Sequence, residues 1–171
     1  LFLTVAVDDS WISSIAIKPP IIIITYHTMT QIDFFSNAPN RIEYVARLLQ
    51  KVQQRGQTAV VYGDAPTLQS LSDSLWQANG FLAHELILES VNDLPNIAPF
   101  ILTAHPHAHF PHHEVLINLS DEQPAFFAQF ERLIEVVPNE DTPKQMARDR
   151  WQNYKHTGYA MKHHDIAAIK K

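Results

Sequence analysis

From residue 31 onward the chain alternates short apolar or β-branched runs with longer segments whose apolar residues recur every three or four positions. That alternation confines it to few folds. QIDFFS (31–36) reads as a strand, followed by a turn at Asn37, Pro39 and Asn40. Ile42, Val45, Ala46, Leu49 and Val52 then share one helical face, and Gly56 suits the C-terminal cap. TAVVYG (58–63) predicts a second strand, and Asp64-Ala65-Pro66-Thr67 opens a second helix with Leu68, Leu71, Leu75 and Trp76 on one face. FLAHELIL (81–88), PFILTA (99–104) and EVLINL (114–119) predict further strands. PAFFAQFER (124–132) predicts a short helix and LIEVV (133–137) a last strand, closed by Pro138. Strands separated by helices imply crossovers, so the expected fold class is α/β: a three-layer α/β/α arrangement around a mostly parallel open sheet.

With 171 residues, 46% of them hydrophobic, the chain can bury one substantial core, and one domain is expected. It has no cysteine, which removes disulfides, thiolate metal sites and cysteine nucleophiles together. Residues 1–28 are apolar, but Asp8 and Asp9 interrupt the first run and Pro19-Pro20 splits the segment. They read neither as a signal peptide nor as a membrane span. Because Met29 directly precedes the first strand, we expect residues 1–28 to be an extension ahead of a natural start at Met29.

HPHAHFPHHE (105–114) packs five histidines into nine positions and raises the question of a metal centre. His105, His107 and His109 have the spacing of one strand face, but Pro106 interrupts such a strand and no Cys, Asp or distant Glu completes a ligand set. The run reads as a solvated loop between two strands, gaining positive charge below about pH 6.5. A metal-dependent enzyme using the His105–His113 cluster, or a nucleotide-binding one, is the alternative. The chain carries no P-loop, no dinucleotide fingerprint, no G-x-S-x-G elbow and no H-E-x-x-H pair, and Gly63 is an isolated glycine between strand and helix.

The net charge of −5 disfavours broad coating of nucleic acid, yet its distribution is uneven. Residues 141–171 carry seven Lys/Arg against three Asp, a balance of +4, while residues 1–140 carry six against fifteen acids, a balance of −9. Within the basic segment Thr142 suits a helix N-cap, Pro143 the first helical position, and Gln145 completes a capping-box pattern. Lys144, Arg148, Trp151 and Lys155 then fall on one face. A guanidinium beside an indole can hold a carboxylate while walling an apolar side chain, so an acidic peptide ending in a hydrophobic residue is the natural ligand.

VVPNEDTPKQMARDRWQNYKHTGY resembles the C-terminal signature of the bacterial DNA polymerase III chi subunit family, in which a valine-proline strand end and an acidic turn lead into a Lys-Gln-x-Ala-Arg helix. The resemblance runs back through Leu75-Trp76 and VLINLS to the first strand and covers residues 29–160, leaving 161–171 as a basic C-terminal tail. It implies a fold similar to mononucleotide-binding proteins and a cytoplasmic accessory subunit of a DNA-directed DNA polymerase, with neither catalytic activity nor cofactor. One surface would dock the psi subunit of the clamp loader. Another would capture the acidic, Pro-Phe-terminated tail of single-stranded-DNA-binding protein, reaching DNA only indirectly and no membrane. The family's tail-binding residues carry over onto Arg148, Lys144, Trp151 (commonly tyrosine), Val137, and an aromatic pair at Trp76 and Phe81. Arg150 would join Lys144 in meeting the acidic residues.

Overall fold

A computed structural model of the chain describes residues 29–77, 80–91, 94 and 98–169. The extension expected at 1–28 lies outside the described residues. Seven strands form one sheet: β1 (Gln31–Ala38), β2 (Ala59–Tyr62), β3 (His84–Ile87), β4 (Phe100–Thr103), β5 (Val115–Asn118), β6 (Arg132–Pro138) and β7 (Met161–Asp165). Their order is β3-β4-β2-β5-β6-β1-β7, and every pairing is parallel. The three-layer α/β expectation therefore holds. A parallel sheet is covered on both faces, which is why β2, β4 and β5 are apolar almost throughout rather than alternating.

Helices α1 (Arg41–Gln54) and α2 (Ala65–Gln77) cover one face. Val45, Leu49, Leu68, Leu71 and Leu75 pack there on Val61, Leu102, Ile117 and Ile134. Asn40 caps α1 by accepting from the Glu43 N–H at 3.1 Å. Among the described residues α3 (Asp141–Thr157) is the one helix on the opposite face. Aromatic residues on connecting segments fill the remainder: Phe110 meets Phe126 at 4.8 Å, and Phe127 meets Tyr154 at 5.1 Å between ring centroids. The helix expected at 124–132 shrinks to a 3-10 turn, Phe127–Gln129, in which Phe126, Phe127 and Phe130 are all buried.

The same topology corrects the reading of the histidine run. β4 and β5 are both parallel to the β2 strand between them, so the chain must return along the sheet between them. Residues 104–114 are that return, a loop solvated only in part, with Pro106, Ala108, His109 and His113 exposed. Phe110 and His112 are buried, and His112 Nε2 bonds the Ala98 carbonyl at 2.8 Å. His105 Nε2 bonds the Leu88 carbonyl, His107 the Thr103 hydroxyl, and His113 the Gln129 carbonyl, each at 3.0 Å. Burial, with His105 adding to it, pushes the His107 imidazole below its ordinary value, opposite to a loop charging freely. These imidazoles point to separate partners. Among the described residues no three His, Asp or Glu side chains gather as a metal site, including the weak set His105, His107 and His109.

The basic tail expected at 161–171 is also corrected, because residues 161–165 form β7 and Ile166–Ile169 a short α4. Asp33, fully buried, fixes β7 in place. It accepts from Arg132 Nε at 2.6 Å across one neighbour and bonds His164 Nε2 at 3.0 Å across the other. Three charged or imidazole groups meeting on three strands carry no hydrophobic signature, so MKHHD does not read as a strand. Burial pushes the Asp33 carboxyl up, but the bonds and charges of Arg132 and His164 outweigh it and hold the group below its ordinary 3.8. The ionised form is thus favoured by folding. That stabilisation is complete above the unfolded value and is lost as pH falls through the folded one. Urea midpoints of the protein and of Asp33→Asn should differ by a constant amount down to about pH 4 and converge below it. A gap that persists at lower pH would show that the pairing is not electrostatic.

Candidate functional site

α3 leaves the end of β6 and lies back over β6 and β1. Its N-cap is Glu140, without a side-chain capping bond, rather than the expected Thr142; Lys144 N–H donates to the Glu140 carbonyl at 3.1 Å. Pro143 is therefore the third helical residue, where its missing N–H still costs no intrahelical bond. At the other end Gly158 takes φ +88° and closes the helix, with its N–H donating to the Lys155 carbonyl.

Lys144, Ala147, Arg148 and Trp151 stand at i, i+3, i+4 and i+7 on the side of α3 that faces β1 and β7. Together with Phe34, Ser36 and Asn37 of β1, Val137 of β6 and His163 of β7 they line a groove of about 450 Å³. Phe34 and Ser36 contribute because alternate strand residues share a face. Ala147 is the small residue that leaves room. Trp151 meets the Phe34 ring edge-on at 5.0 Å and the His163 ring at 6.2 Å, and His163 Nε2 bonds Ser36 Oγ at 2.8 Å. At the rim the β1 register shifts between Phe35 and Ala38. Asn37 there adopts φ +59° and donates to Asp165 Oδ1 at 3.0 Å.

The groove is apolar within and cationic at its edge. Lys144 Nζ donates to Asn139 Oδ1 at 2.6 Å, and Arg148 Nη1 reaches Gln145 Oε1 at 3.4 Å. Among the described residues neither cation lies within ion-pair distance of a carboxylate. Two uncompensated donors beside an aromatic wall can hold an anion joined to an apolar group.

Four of the expected site residues, Lys144, Arg148, Trp151 and Val137, are thus brought together, and three are not. Arg150 is two residues beyond Arg148, about 200° around the helix, and points into the core at 7% exposure. It pairs with the fully buried Glu135 through Nη2 at 3.0 Å and Nε at 3.2 Å and donates to the Asp121 carbonyl. Asn118 and the Tyr154 hydroxyl also donate to Glu135. Burial pushes both the Glu135 carboxyl and the Tyr154 hydroxyl up, while Arg150 opposes each shift. Arg150 is therefore a structural cation rather than a ligand-facing one. Trp76 and Phe81 lie by α2 and β3, at the opposite end of the strand order from β7, 61% and 68% exposed with ring centroids 5.5 Å apart. Of the groove residues missed in the sequence, Ala147 was within reach of helical spacing, standing three after Lys144 and four before Trp151, whereas Phe34, Ser36, Asn37 and His163 carry no local signal, since only strand pairing brings β1 and β7 under α3.

A second crevice lies at the C-terminal ends of β2, β5 and β6, where open α/β sheets hold nucleotides. It is lined by Arg41 but also by Asp64, Asp121 and Glu140, carboxylates that oppose a phosphate. A Cβ on Gly63 would lie 3.0 Å from Leu119 Cβ, so this glycine serves close packing of β2 against β5.

Residues 29–162 match the family model described as DNA polymerase III chi subunit, HolC. The chain is also 30% identical over 149 residues to DNA polymerase III subunit chi of Pseudomonas aeruginosa, an alignment covering 82% of this chain and 100% of that protein.

Proposed function

The chain belongs to the DNA polymerase III chi subunit family, and we propose that it is a non-catalytic adaptor that captures the acidic, Phe-terminated tail of single-stranded-DNA-binding protein in the α3 groove. The observation that carries this reading is the pairing of Arg148 and Lys144, both without a carboxylate partner among the described residues, with an apolar recess walled by Trp151, Phe34 and Val137. The terminal carboxylate meets the Arg148 guanidinium through two parallel N–H···O bonds. The phenyl ring enters the recess over Ala147, and acidic residues upstream face Lys144. A lone exposed ion pair contributes only about 0–1 kcal/mol, but charge-assisted hydrogen bonds held in a bidentate pair contribute roughly 1.5–3 kcal/mol, so the carboxylate and the buried ring share the affinity.

An adaptor needs a second face. The exposed Trp76 and Phe81 rings, separated from the groove by the width of the sheet, form a paired aromatic surface that suits a helix of a second subunit. In this reading that subunit is psi of the clamp loader, and the protein acts in the bacterial replisome in the cytoplasm. Two partners then bind at once without competing.

Calorimetric titration with an acidic peptide ending in Pro-Phe tests tail capture. Converting the terminal carboxylate to an amide is expected to weaken binding at least about tenfold, because a charged hydrogen-bonding group contributes roughly 1.5–3 kcal/mol. Equal affinity for acid and amide would reject it.

A further inference from the structure

We propose that the open edge of β7 is part of the same docking surface, and that the acidic segment preceding the terminal Phe pairs with it as an eighth strand; this rests on the tail-capture reading above. β7 is the last strand in the sheet order and pairs only with β1 among the described residues. Ile32 N–H donates to the Ala160 carbonyl at 2.9 Å, and Ile32 is in register with Met161. In a parallel ladder this turns the backbone groups of Lys162 and His164 toward β1 and those of Met161 and His163 outward. The outward N–H and C=O groups have no backbone partner among the described residues. They form a short template of two donors and two acceptors.

Two observations select the occupant. The first is continuity: the His163 side chain lines the groove while its backbone faces the edge, so a peptide leaving the recess meets β7 at once. The second is charge. Lys162 is exposed on the strand's other face, and Lys155 and His156 close the last turn of α3 just ahead of β7, so basic side chains accompany the edge, with Asp165 at its far end. An extended acidic segment fits these neighbours. β7 itself is held rigid by the Asp33 bonds to Arg132 and His164, so little of the docking strand has to be ordered on binding.

The test is amide hydrogen exchange on the full chain, free and with an acidic peptide ending in Pro-Phe, read together with the NMR shift of the Trp151 indole. Binding should shift the indole and slow exchange at the Met161 and His163 amides about tenfold or more. The dipeptide Pro-Phe alone should shift the indole without protecting those amides. N-methylation of alternate upstream peptide bonds should weaken the longer peptide about fivefold for each main-chain bond lost. An indole shift with no added protection overturns the eighth strand and leaves tail capture standing. No indole shift overturns both. Protection already present without peptide overturns the proposal: if it grows with protein concentration the edge belongs to a second copy, and if it does not, the chain covers its own edge.

Discussion

Arg150→Ala is expected to destabilise the domain by about 3–5 kcal/mol, a large share of the roughly 5–15 kcal/mol available to a domain of this kind. The cause is what the substitution leaves behind more than what it removes. Glu135 is fully buried in the sheet and accepts from Arg150, Asn118 and Tyr154. Without the guanidinium its remaining hydrogen-bond partners would be neutral donors, and burial would drive it to take up a proton. The Asp121 carbonyl would lose its donor as well. Urea unfolding followed by tryptophan fluorescence measures the effect. The double variant Arg150→Met with Glu135→Leu should recover most of the loss, since replacing both ions by apolar groups of similar size is often neutral. A single variant as stable as the parent would show that the pair contributes nothing to folding.

Arg148→Ala is expected to behave in the opposite way: stability within about 0.5 kcal/mol of the parent, with binding of an acidic Phe-terminated peptide reduced at least about tenfold. Arg148 is exposed, and its one side-chain hydrogen bond among the described residues is a 3.4 Å approach to Gln145. Little in the fold depends on it. Arg148→Lys separates charge from shape. It keeps the cation but loses the planar fork, so it should recover only part of the affinity if the carboxylate is held by two parallel bonds. Trp151→Ala should also weaken binding, by roughly 2 kcal/mol, with some loss of stability because the indole packs edge-on against Phe34. Calorimetry on the three variants checks these values. Unchanged affinity in both Arg148→Ala and Trp151→Ala would exclude the groove as the tail site.

These two arginines show how far a periodic reading reaches. Lys144, Arg148 and Trp151 were legible as one stripe because helix geometry alone fixes which residues share a side. Arg150, in the same cationic run, was assigned to the ligand although two residues along a helix turn a side chain away. Its true partner, Glu135, stands 15 residues earlier on β6, across the turn that precedes the helix, and looks in isolation like a strand residue. The Trp76–Phe81 pair is a similar case. The two rings do meet, but β3 lies at one end of the strand order and the groove at the other.

The sequence by itself determined the layer type, most strand positions from 31 to 137, and the basic-aromatic stripe of the last helix. All of these follow from short-range periodicity and turn chemistry. Tertiary structure alone decided three further matters. It set the strand order, which makes the histidine run a partly buried return across the sheet. It formed β7, held by an Asp33 triad that has no apolar pattern to announce it. It built the groove's second wall from β1 and β7. Each depends on pairing between residues far apart in the chain, 41 and 56 positions for β2 with β4 and β5 and 99 to 131 for the Asp33 contacts, and a parallel sheet sets such pairings through crossover connections and buried polar contacts that no local window of the chain contains.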